Sequence, residues 1–148
     1  MKAIKKFEEF IKNGTVKIQS PDFSRARFLR DESKKSYSFL KKKLDVFGIS
    51  DETANDIIKS SYDIIMESIR ARMLLEGYNA SGQGAHEAEV SYLRILGFIE
   101  KDVQFADQLR YFRNGMLYYG TLLDEEYAQK VINFTHRLYK ELLESLNL

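Results

Sequence analysis

Residues 50–77 read SDETANDIIKSSYDIIMESIRARMLLEG, and this stretch decides the fold class. Ser50, Asp51, Glu52 and Thr53 put capping side chains and negative charge ahead of the first apolar position, as a helix start requires. Ala54, Ile57, Ile58, Ile64, Ile65, Ile69, Met73 and Leu75 then recur at helical spacing until Gly77 stops the pattern. Their arc is wide, which predicts a central helix touching several neighbours.

The same period spreads outward from this segment. Upstream, Gly48 closes a long helix that Ser20-Pro21-Asp22 opens, with Ser20 as the N-cap and Pro21 at the first helical position. Its expected seam is Phe23, Ala26, Tyr37, Leu40, Leu44 and Phe47, with Arg30 and Ser33 in two middle slots. Residues 2–12 predict a first helix with Ile4, Phe7 and Ile11 on one face, ended by Asn13-Gly14. Residues 15–19 alternate Val16 and Ile18 with polar neighbours, but they are too few for an independent sheet and predict a connector. Downstream, YNASGQG at 78–84 is the most loop-like stretch. Helices are expected over 85–96, 102–118 and 124–146, the last striped by Tyr127, Val131, Phe134, Leu138, Leu142 and Leu146. Short connections make sequential helices antiparallel neighbours. The expectation is an all-α, up-and-down bundle of four to five main helices.

A chain of 148 residues suits one domain, here spanning 1–148. It has no cysteine, which excludes disulfides and thiolate metal sites. The first residues, MKAIKKFEEFIKNG, carry neither the apolar run nor the small-residue pattern of a signal peptide. No stretch approaches the ~20 apolar residues of a membrane span, so a cytoplasmic location without membrane association is expected. Net charge is +1 but uneven. Residues 1–50 hold 13 Lys and Arg against 6 Asp and Glu, and the rest hold 10 against 16. A basic N-terminal third suits either a solvated helix face or a phosphate-bearing or acidic partner.

Several chemistries are excluded by spacing. A ferritin-like di-iron bundle needs Glu three positions before each His, yet Gln83 precedes His86 and Asn133 precedes His136. There is no phosphate-cradling Gly-x-x-x-x-Gly-Lys and no Gly-x-Ser-x-Gly elbow. No cofactor is expected. Of the two histidines, His86 opens a short helix with local hydrogen bonds, and His136 reads as a surface or edge residue. The informative segment is the fifth helix. Arg113 lies on the face of Val103, Ala106, Leu109 and Leu117, so its guanidinium needs a partner; Glu67 and Glu76 are the candidates across the bundle. Arg110, Asn114 and Tyr118 are spaced by four, and Tyr111 joins Asn114 and Tyr118 at i, i+3 and i+7. Gly115 sits inside this helix at a cost of about 1 kcal/mol relative to Ala, which suits close approach of a helix or ligand.

The segment LRYFRNGMLYYG at 109–120, preceded by LLEGYNASGQGAHEAEVSYL at 74–93, resembles HEPN domains over about residues 20–146. That family's motif is Arg, often followed by Asn, then His after four to six intervening residues. The resemblance implies a helical bundle that dimerises so that two motif copies face each other in a cleft, and active members are metal-independent ribonucleases. It implies that Arg113 holds the scissile phosphate and that Asn114 supports it. At the motif His position stands Tyr118, a poor general base at neutral pH but a hydrogen-bond donor.

Three readings stay open. The first is a HEPN-like homodimer binding RNA or nucleotide through Arg110, Tyr111, Arg113, Asn114 and Tyr118, paired with a separately encoded nucleotidyltransferase. The second is a metal-independent endoribonuclease of toxin type, in a toxin–antitoxin setting, with Arg113 as phosphate clamp, Asn114 supporting it and Tyr118 or His86 transferring protons. The third is a non-catalytic protein-interaction bundle in which Arg113 is structural.

Overall fold

The protein is described here by a computed structural model over residues 3–119 and 123–146, with side chains to 115 and from 123. Its elements in chain order are α1 (Phe7–Lys12), β1 (Val16–Ile18), α2 (Phe23–Phe47), α3 (Ala54–Leu75), β2 (Tyr78–Ala80), α4 (Ala85–Ile95), α5 (Glu100–Tyr119) and α6 (Glu125–Ser145). The chain is an all-α helical bundle, with one short ribbon of two strands. No helix among the described residues is long and apolar enough to cross a membrane.

The wide apolar arc of α3 has the consequence expected of it. Ile57, Ile58, Ile64, Ile65, Ile69, Met73 and Leu74 are all buried, and α3 packs against α2, α4, α5 and α6. The α6 stripe Val131, Phe134, Leu138 and Leu142 meets it from one side. Asp124 caps α6, its carboxylate accepting from the Tyr127 N–H at 2.9 Å. Val103, Ala106 and Leu109 seat α5 in the same core.

Several expectations are corrected. Residues 15–19 are not a bare connector. β1 pairs antiparallel with β2, Val16 opposite Ala80 and Ile18 opposite Tyr78, so the loop-like 78–84 stretch begins as a strand. Three-residue strands are unstable alone, but this ribbon is held by the core. Val16 is buried, and the Tyr78 ring packs against Phe7 and Tyr92 at centroid distances of 5.1 and 5.8 Å. Its end crosses Gly77 so closely that a Cβ there would stand 2.6 Å from the Gln19 carbonyl oxygen.

The start of α2 also shifts. Asp22, not Ser20, is the N-cap, accepting from the Arg25 N–H at 3.1 Å, and Pro21 stays outside the helix. The Asp22 N–H donates to the Leu74 carbonyl at 3.0 Å, which ties the start of α2 to the end of α3. At the ends of the expected α2 seam, Phe23 and Phe47 are exposed; Ala26, Ser33 and Leu40 carry the burial. Residues 3–6 are not helical where the first helix was expected to run; Arg94 donates to the carbonyls of Lys5 at 3.0 Å and Ile4 at 3.2 Å. Those carbonyls are thereby committed outside the chain segment that would need them for helical bonds.

Candidate functional site

α3, α4 and α5 meet around a polar cleft. α3 brings Tyr62, Asp63, Met66, Glu67 and Arg70, positions one and two turns apart along one face. Residues 82–84 and the first turn of α4 bring His86 and Glu87. α5 brings Arg110, Arg113 and Asn114 from its C-terminal half. The cleft divides into two adjoining cavities of about 460 and 300 Å3, and Tyr62, His86 and Arg113 line both.

Arg113 is paired with neither Glu67 nor Glu76. Its Nε stands 3.3 Å from Asp63 Oδ1, and the Asp63 side chain is half exposed. Glu76 is engaged elsewhere, pairing with Arg72 and accepting from the Tyr92 hydroxyl at 2.6 Å. The correction has a geometric cause: Asp63 lies beside Arg113 at the cleft, while Glu76 is three turns further along α3. Burial raises the Asp63 pKa against the opposing pull of Arg113, His86 and Arg70. Burial likewise raises that of Glu67.

Beneath the cleft runs a tighter network. The Glu89 side chain is only 2 % exposed. It accepts from Arg70 Nε at 2.7 Å and from Arg70 Nη2 at 3.1 Å, a two-point pair. Glu89 Oε1 also accepts from His86 Nδ1 at 3.1 Å. Burial works against the Arg70 charge, but the hydrogen bond and charge of Glu89 outweigh it and hold Arg70 above the ordinary guanidinium value. Tyr62 is buried, and burial, the largest cause, raises its phenol pKa; Arg110 and Arg113 pull the other way.

The remaining expected residues separate. Arg110 lines the larger cavity while its Nε pairs with buried Asp107 at 2.7 Å. Asn114 lines that cavity too. Tyr111 does not join the site: it is exposed, touches the Phe112 ring and borders neither cavity, because one step along the helix turns it away from Arg110. The Tyr118 side chain lies outside the described residues. His136 is exposed, as expected of a surface residue, and hydrogen-bonds the Tyr37 hydroxyl.

Sequence reasoning missed Tyr62, Asp63, Arg70 and Glu89, and it gave His86 a local role first and a proton-transfer role only in the endoribonuclease reading. One signal was present: His86 and Glu89 are three apart on α4, hence on one face. Arg70 carried no such signal, being 19 positions away. A larger groove of about 680 Å3 between α5 and α6 holds Asp102 and Arg137, but these close on each other at 2.6 and 3.0 Å. Compared with protein-family models, curated proteins and solved structures, the chain matches none of them.

Proposed function

We propose that the chain is a HEPN-like module that binds RNA or a nucleotide by its phosphate in the cleft of α3, α4 and α5. The observation that carries this reading is the state of Arg113. Among the described residues its ion pair is a single 3.3 Å contact to a half-exposed carboxylate, and it borders both cavities. A phosphate oxygen competes well for a guanidinium held that way, whereas a closed two-point pair would resist release. Arg110, whose Nε is paired with Asp107, and Asn114 add donors along the same cavity. A homodimer with facing clefts, a nucleotidyltransferase partner and a cytoplasmic setting go with the resemblance.

The test is fluorescence anisotropy of a labelled single-stranded RNA, titrated at several salt concentrations. Arg113→Ala is expected to weaken binding about tenfold and to reduce the salt slope by about one. Unchanged binding rejects this cleft as the site. Sedimentation velocity decides the homodimer. The second reading, a metal-independent endoribonuclease, is favoured by one observation: His86 lines the same cavities as Arg113.

A further inference from the structure

We infer that the groove between α5 and α6 is a binding site for a small, flat aromatic carboxylate. It lies apart from the cleft of α3, α4 and α5, and it stands whether or not that cleft takes a phosphate.

The groove follows from how the two helices are seated. α5 and α6 succeed one another in the chain, yet each packs on α3 and, among the described residues, hardly on the other. The space left between them is about 680 Å3, a size that suits a small molecule held between the helices of a bundle. Both helices line it with the same pattern. α5 presents Lys101, Gln104, Phe105 and Gln108 at i, i+3, i+4 and i+7. α6 presents Lys130, Asn133, Phe134 and Arg137 at the same spacing. The helices run in opposite directions here, since Asp102 meets Arg137 while Phe105, further along α5, meets Phe134, further back on α6. Lys101 and Arg137 therefore stand at one end of the groove and Lys130 at the other. The Phe105 and Phe134 rings, with centroids 4.6 Å apart, form the floor between them.

The floor calls for a flat apolar body, which aromatic rings bury and contact edge-on or offset. The charges select its sign. Among the described residues Lys101 and Lys130 form no ion pair, so both ammonium groups are available to a ligand. The carboxylate on the lining, Asp102, has a side chain only 7 % exposed and is already held by Arg137 at 2.6 and 3.0 Å. That closed pair has a use here. It pins Arg137, whose guanidinium lies 5.6 Å from the centre of the Phe134 ring, while half of the Arg137 side chain stays exposed. A fixed, planar guanidinium is a surface on which a further ring stacks, and little ordering remains to be done when one arrives. Asn133 adds a donor: its amide oxygen accepts from Gln129 at 3.0 Å, which leaves the NH2 group for an acid. With cations at both ends, a carboxylate meets one whichever way its ring is turned.

The experiment titrates the full 15N-labelled chain with 2-naphthoate and, in parallel, with 2-naphthamide, a neutral compound of the same shape, following amide chemical shifts. Wild type is expected to bind naphthoate with a Kd of about 0.1–1 mM, with the largest shifts at residues 101–108 and 130–137, and to bind the naphthamide about three- to fivefold more weakly. Lys101→Gln combined with Lys130→Gln changes two exposed side chains and is expected to abolish that preference. Asn133→Trp fills the groove from its exposed rim and is expected to block both compounds. No saturable shift below about 10 mM naphthoate overturns the site. So do shifts centred on the α3, α4 and α5 cleft, or binding that Asn133→Trp leaves unchanged. Equal affinity for the two compounds, or a preference that survives loss of both lysines, overturns the acidic class of ligand.

Discussion

Glu89→Gln probes the network beneath the cleft while keeping the side-chain volume. The native carboxylate is buried and accepts three hydrogen bonds, two from Arg70 and one from His86. The amide keeps one acceptor oxygen, so a donor now faces a donor at one Arg70 contact. A charge-assisted hydrogen bond contributes about 1.5–3 kcal/mol. Two effects offset its loss: a neutral amide costs less to bury than a carboxylate, and Arg70, about a quarter exposed, regains water. The expected net loss is about 2 kcal/mol. For a chain of this length that lowers Tm by about 4–8 °C, read by circular dichroism. His86→Gln, at the exposed end of the same network, is expected to cost under about 0.5 kcal/mol. Arg70→Met completes a double-mutant cycle with a coupling of about 1.5–2 kcal/mol. A Glu89→Gln protein as stable as wild type, or additive single changes, would refute the claim that Glu89 and Arg70 form one unit.

Two further perturbations address the fold around the site. Gly77→Ala combines a left-handed φ of +89° with a Cβ 2.6 Å from the Gln19 carbonyl oxygen, so it is expected to cost about 2–4 kcal/mol by urea denaturation. Gly14→Ala, at φ +83° with open space around it, is expected to lose only the conformational part, about 1 kcal/mol. His136, exposed at one edge of its ring and partly covered at the other, has a lowered pKa, first from that partial burial and then from Lys41 beside it. The unfolded chain therefore binds this proton more readily. Stability is intact above the ordinary imidazole value and declines as pH falls from there to the folded value. Lys41→Met is expected to raise the pKa part-way and narrow that window, measured on the resolved imidazole resonances of a chain with only two histidines. No movement on removing Lys41 would refute its electrostatic role.

The fate of individual residues separates local from distant information. Asp124 caps α6, and Ile57, Ile58, Ile64, Ile65, Ile69 and Met73 face the core, because a helix start and a helical face are properties of neighbouring residues. Ser20 lost the capping role to Asp22 because the Asp22 N–H is bound to Leu74, a contact with another helix. Val16 and Ile18 looked like a connector for the same reason, since their strand partner lies beyond two intervening helices. In the cleft, Arg113 and Asn114 were legible from helical spacing. Tyr111 was misplaced by it, because i, i+3, i+7 spacing names a face without saying which neighbour that face meets.

By itself, then, the sequence determined that this protein is an all-α bundle with α3 at its centre, and it singled out Arg113 as a cation needing a partner. These follow from the 3.6-residue period and from caps, which act over one or two turns. Only the tertiary structure decided that the partner is Asp63, that residues 16–18 and 78–80 pair, and that Arg70, Glu89 and His86 form one network under the Arg113 cleft. Each of those choices depends on the rotation and depth at which packed helices settle against one another. That settlement is a property of the whole core and has no local signature in the chain.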